Sequence, residues 1–103
     1  MRTIDPLFAY LSILAVIQPA RIQDVEEYSA KLLGIQLAEW LSENNKLRDA
    51  HRDARENGLV TPVRRGVYFM TPKGKQVVRR EGLERSIDNR RFFLMKAQRK
   101  RYK

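Results

Sequence analysis

The stretch from Ala54 to Gly74 (ARENGLVTPVRRGVYFMTPKG) carries more structural punctuation than any other part of this chain, and it leaves few ways to fold. A helix is expected to stop at Asn57-Gly58, where glycine can take the left-handed conformation that closes a helix. A strand over Leu59 to Val63 follows, then a tight turn at Arg64-Arg65-Gly66, whose glycine tolerates the positive φ of a short hairpin. A second strand spans Val67 to Met70. Thr71 and Pro72 open a new helix: the threonine hydroxyl can cap it, and proline at the first position gives up only an amide proton that had no partner.

Upstream, Asp5-Pro6 has the form of a helix start. From Leu7 to Ile17 only Ser12 is plainly polar, so the first helix is expected to be apolar nearly all round. A small domain should leave part of such a helix uncovered, which points to a second protein surface. That run is shorter than the roughly 20 residues that span a bilayer, and Asp5-Pro6 before it and Gln18-Pro19-Ala20 after it fit a signal peptide poorly. No membrane association is therefore expected, and the reading is a buried helix of a cytoplasmic protein. Pro19 ends it, and Ala20 to Ile22 can form a very short strand.

A second helix is expected over Asp24 to Leu33, with Asp24 and Glu27 at capping-box spacing and Val25, Leu32 and Leu33 facing the core. Gly34 ends it, and Gln36 to Leu41 reads as one or two further turns. Trp40 reads as a core or edge-packing residue. A third main helix should begin at Asn44-Asn45, both suited to capping, and run to Asn57. Leu47, Ala50 and Ala54 mark its buried seam. The opposite face carries Asn45, Arg48, Asp49, Arg52 and Arg55, either a solvated face in which Asp49 and Arg52 pair, or a face made for a groove. The hairpin that follows immediately favours the groove.

Charge sharpens this reading. The net formal charge of +9 is not spread evenly: residues 1–63 hold seven Lys and Arg against nine Asp and Glu, and residues 64–103 hold fourteen against three. All of the basic excess lies in the hairpin and beyond, a distribution suited to a polyanion, with nucleic acid ahead of a membrane surface. A merely solvating tail is the alternative. The absence of cysteine excludes disulfides, thiol nucleophiles and thiolate zinc sites. His51 is the only histidine, and it sits beside the buried seam, where a structural or phosphate-facing role is expected rather than metal ligation or base catalysis. No pair of carboxylates, nucleophile-base set or phosphate-cradling loop stands out, so neither an enzyme nor a bound cofactor or metal is expected.

Three helices, then Gly58-Leu59-Val60, Arg64-Arg65-Gly66-Val67-Tyr68 and Thr71-Pro72-Lys73-Gly74, are similar to winged helix-turn-helix domains of bacterial and archaeal DNA-binding proteins. Within that superfamily the chain most resembles the N-terminal winged domain of Mrr-type restriction endonucleases. In those domains an Arg-Gly-aromatic wing, a Thr-x-x-Gly helix start and a Leu-Leu-Gly-Ile helix end, here Leu32 to Ile35, are common. The resemblance spans about residues 5 to 80. Mrr-type enzymes add a nuclease domain with a carboxylate and lysine metal site; the chain ends where that domain would begin, which implies the DNA-reading module without the nuclease.

The expected fold class is therefore α+β, mainly helical with a small hairpin: a winged domain over residues 1–82 and a basic C-terminal helix or tail over residues 83–103. The tail carries Leu83, Ile87, Leu94 and Ala97 at nearly helical spacing. The expected partner is double-stranded DNA, bound by a nucleoid-associated transcriptional regulator or accessory factor. The third main helix would lie in the major groove, where Asn45, Arg48 and Arg52 would reach base edges or phosphate; Asn44, Lys46, Asp49 and Arg55 are further expected DNA-binding residues, Arg64 and Arg65 would meet phosphate or the minor groove, and Lys73 and Lys75 would add salt-sensitive affinity. A homodimer held by the first helix and the segment from Leu83 to Ala97 is expected from surplus apolar surface; a tail folded back onto its own domain, capping the first helix within a monomer, is the alternative. RNA or ribosome binding, or a winged-helix protein-interaction module, are the alternatives.

Overall fold

The computed structural model of the protein describes residues 5–81, with side chains described to Val78. The elements run α1 (Pro6–Ile17), α2 (Ile22–Leu33), α3 (Ile35–Glu43), α4 (Lys46–Glu56), β1 (Val60–Arg64), β2 (Val67–Met70) and α5 (Pro72–Glu81). The fold is mainly helical with one antiparallel hairpin, the α+β class and winged-helix-like layout expected from the sequence. The expected C-terminal helix or tail of residues 83–103 lies outside the described residues.

Helix α1 is the centre of the domain. Asp5 caps it by accepting the Leu7 N–H at 2.9 Å, with Pro6 in the first turn. Every residue from Ala9 to Ile17 is buried, against α2, α4, α5 and β2. Its one plainly polar side chain, Ser12, donates back to the Phe8 carbonyl at 2.6 Å, so no hydroxyl is left unpaired inside. The sequence suggested that a domain this small would leave one side of α1 open. Within one copy of the chain it does not, because four elements converge on a helix of only 12 residues.

After the cis Gln18-Pro19 peptide the chain meets the hairpin. Ala20 forms a single bridge with Tyr68, exchanging N–H to carbonyl bonds of 3.1 and 2.8 Å, and the Gln18 side-chain carbonyl accepts the Met70 N–H at 2.8 Å. The very short strand expected over Ala20 to Ile22 thus reduces to Ala20. Helix α2 begins at Ile22, earlier than expected. Asp24 is not its cap but lies in its first turn, and its carboxylate accepts the Arg21 N–H at 2.9 Å, satisfying a donor just ahead of the helix.

The turns expected over Gln36 to Leu41 are a nine-residue helix, α3, with Ala38 and Leu41 buried against α2 and α4. Asn44 and Asn45 do not cap α4 with their side chains. Asn44 donates instead to the Trp40 carbonyl at 3.2 Å, closing α3, and Asn45 takes a left-handed backbone (φ 53) to turn the chain between the helices. Asparagine tolerates that conformation better than most residues, which is why it can stand there.

The hairpin pairs Val60 with Met70 and Thr61 with Phe69, with an irregularity between Pro62 and Arg64 that leaves Val63 about half exposed. Gly58 (φ 69) and Gly66 (φ 76) take the positive φ that the sequence demanded of them. The first strand runs one residue later than expected, from Val60. Tyr68 and Phe69 are both half-buried, because a hairpin this short has helices against only part of either face.

Candidate nucleic-acid interface

Helix α4 is strongly amphipathic, and both faces follow from spacing. Leu47, Ala50, His51 and Ala54 are buried, so α4 packs closely on α1 through small side chains. Arg48, Asp49, Arg52, Asp53 and Arg55 are exposed on the other side. Lys46, Arg48, Arg52 and Arg55 against Asp49, Asp53 and Glu56 make the helix nearly neutral over its length. The basic excess near α4 comes instead from the hairpin that follows it, where Arg64 and Arg65 are both exposed at the turn.

Several of the expected contact residues have partners within the domain. The Arg48 guanidinium meets the Glu26 carboxylate of α2 at 2.9 Å, and Arg52 lies 3.6 Å from Asp49, the pair its spacing suggested. Lys46 sits 4.6 Å over the Trp40 ring, and the Arg55 guanidinium lies 6.0 Å from the Tyr68 ring centre. The Lys73 ammonium donates to the Asn57 carbonyl at 3.0 Å, placing a positive charge where the helix dipole of α4 is negative. Arg65 and Lys75 have no such contact among the described residues.

These exposed pairs are weak. Arg48 and Glu26 retain half and a quarter of their side-chain exposure, and the Arg52 and Asp49 side chains are more than half exposed. Such bridges are worth about 0–1 kcal/mol, so a phosphate or a base edge can compete for either arginine.

Behind this surface lies a buried cluster. The Tyr10 hydroxyl and His51 Nδ1 share a hydrogen bond of 2.6 Å, and Tyr68 packs edge-on against the other side of the imidazole, its ring centre 4.6 Å away. Burial keeps the phenol protonated well above its ordinary range. Burial, followed by Arg55 and Arg48, holds the His51 imidazole below its usual value. At neutral pH the imidazole is therefore uncharged, which lets the Tyr10 O–H donate to a bare Nδ1. Of the two roles expected of His51, its burial and its contacts with Tyr10 and Tyr68 agree with the structural one.

The structure brings Asn45, Arg48, Asp49, Arg52 and Arg55 onto or beside one helix, with Arg64 and Arg65 on the element that follows it. Asn44 turns back to α3, and Lys73 is drawn to the end of α4. Spacing could not reveal Glu26, which lies 22 residues from Arg48, or Tyr10, which lies 41 from His51; only packing brings them together. No group of three or more potential metal-ligating side chains occurs among the described residues, and none of their helices is long and apolar enough to cross a membrane. No protein-family model matches the chain, and neither a curated protein nor a solved structure matches it.

Proposed function

We propose that the chain is a double-stranded DNA-binding protein of the winged helix superfamily, a non-enzymatic regulator or accessory factor acting on the nucleoid in the cytoplasm. The observation that carries this reading is the succession of α4, with Arg48, Arg52 and Arg55 exposed, by a hairpin that carries Arg64 at the end of its first strand and Arg65 in its turn, both exposed. Helix α4 would lie in the major groove and the hairpin would reach phosphate or the minor groove. The concentration of basic residues from Arg64 onward would supply the sequence-independent part of the affinity. The short motifs shared with the Mrr-type N-terminal domain agree with the same reading.

A homodimer is not needed for it. The part of that expectation that rested on α1 has no support, since Ala9 to Ile17 are buried within one chain. The part that rested on residues 83–97 lies outside the described residues.

Fluorescence anisotropy against duplex DNA, titrated with salt, tests the proposal. Log affinity should fall against log salt with a slope of about −3 to −7 if roughly four to eight phosphates are contacted. Absence of duplex binding at low salt, or a clear preference for structured RNA, rejects it.

A further inference from the structure

In a chain with a net charge of +9, the segment from Ile22 to Glu43 carries Asp24, Glu26, Glu27, Glu39 and Glu43 against Lys31 alone. Part of this negative charge lines a cleft. The outward stripe of α3, formed by Gln36, Glu39, Trp40 and Glu43 at one-turn spacing, borders an open cavity of about 570 Å³. Glu39 and Glu43 are exposed and Trp40 is half-buried, with Lys46 over its ring. At the start of the same helix Ile35 is 68% exposed, the largest exposure among the large hydrophobic residues of the described chain. An aromatic side chain flanked along the helix by two exposed carboxylates, with an exposed aliphatic side chain at the start of the same helix, suits a cationic segment that also carries apolar and aromatic residues.

The chain itself contains such a segment. Residues 82–103 hold eight Lys and Arg against two acids, with Phe92, Phe93 and Tyr102 among them. Twenty-two residues reach about 70 Å when extended, against a longest dimension of 37 Å for the domain. Tethering also gives the segment a high effective concentration, on the order of millimolar, at any site it can reach.

We propose that the α3 cleft is a docking site for the basic C-terminal segment of the same copy of the chain. Glu39 and Glu43 attract its Lys and Arg, and Trp40 and Ile35 offer apolar contact to its aromatic side chains. This inference does not depend on DNA binding.

Trp40 is the only tryptophan and cysteine is absent, so the full chain with Lys103→Cys takes one acceptor dye and reports energy transfer from one donor. Transfer should be high at about 0.01 M salt and lost at about 1 M, as the Debye length shrinks from about 30 to about 3 Å. Glu39→Lys with Glu43→Lys should abolish the low-salt transfer, and so should Arg99→Glu with Arg101→Glu, which leaves the folded domain untouched. Circular dichroism confirms that the variants are folded. Transfer that survives both pairs of charge reversals overturns the proposal. So does transfer that disappears when labelled protein is mixed with excess unlabelled protein, because the segment would then occupy another copy.

Discussion

Replacing Gly74 with alanine sets two opposing effects against each other, and the structure decides between them. Alanine is the better helix former by about 1 kcal/mol in a helix interior, and Gly74 lies in the first turn of α5, so propensity alone gives a stabilisation of at most that size. A methyl group at this position would, however, overlap the Leu59 carbonyl oxygen and come within 2.6 Å of Met70 Cγ. Neither neighbour can retreat freely. The Leu59 carbonyl accepts the Thr71 N–H at 3.0 Å, and Met70 is buried. Overpacking of this kind costs about 1–3 kcal/mol, and displacing the Leu59 carbonyl forfeits a hydrogen bond worth about 1 kcal/mol. The balance is a loss of about 1–3 kcal/mol, or roughly 4–24 °C in the midpoint of a domain of this size at 4–8 °C per kcal/mol. Thermal unfolding followed by circular dichroism measures it. Gln76→Ala, exposed on the same helix, should change little and serves as the control. An unchanged or raised midpoint for Gly74→Ala would refute the claim that α5 approaches the hairpin base too closely to admit a side chain.

Other outcomes follow from the same contacts. Gln18→Ala should cost about 1–3 kcal/mol in urea unfolding, because it strands the Met70 N–H in the interior. Stability should decline as pH falls below 6.5: the unfolded chain takes up the His51 proton first, so the contribution is complete above that value and lost as pH falls from there through the lower folded-state value. Urea midpoints across that range should show this decline in the wild type, and the part due to the imidazole should vanish in His51→Gln. On DNA, Arg52→Ala should cost about 1–3 kcal/mol on a preferred site and much less on random duplex, whereas Arg64→Ala with Arg65→Ala should weaken both alike. An unchanged ratio of preferred to random affinity in Arg52→Ala would remove α4 from base reading.

The hairpin was legible in the sequence because its boundaries are local. Gly58 and Gly66 sit where the backbone needs positive φ, and the cap of α5 is local, the Thr71 Oγ1 accepting the Gly74 N–H at 3.2 Å. The buried seam of α4 was legible for the same reason, since Leu47, Ala50 and Ala54 repeat at the helical period. The full length of α3 was not: one or two turns were legible over Gln36 to Leu41, but the apolar inner stripe is short, and the helix extends over Ile35–Glu43 with Ala38 and Leu41 packed against α2 and α4. The caps at Asn44 and Asn45 were misread because an asparagine side chain closes a helix it follows as readily as it opens one. Which of the two it does depends on where the chain turns.

The candidate interface divides along the same line. Which cations stand on the outer face of α4 is a matter of period, and the sequence supplied it; what those cations do when no ligand is bound is a matter of neighbours. Glu26 reaches Arg48 from another helix, Lys73 reaches the end of α4 from beyond the hairpin, and the Tyr10, His51 and Tyr68 rings lie between α1, α4 and β2. That last cluster matters most for a surface built from a helix and a hairpin together. Tyr68 also bridges to Ala20 and lies near Arg55, so β2 is held to α4 by the ring contact with His51 and to the segment after α1 by two backbone hydrogen bonds. Arg52 on the helix and Arg65 on the turn are thus carried on elements whose separation is fixed by packing before any partner arrives, which lowers the ordering cost of engaging both on one rigid ligand.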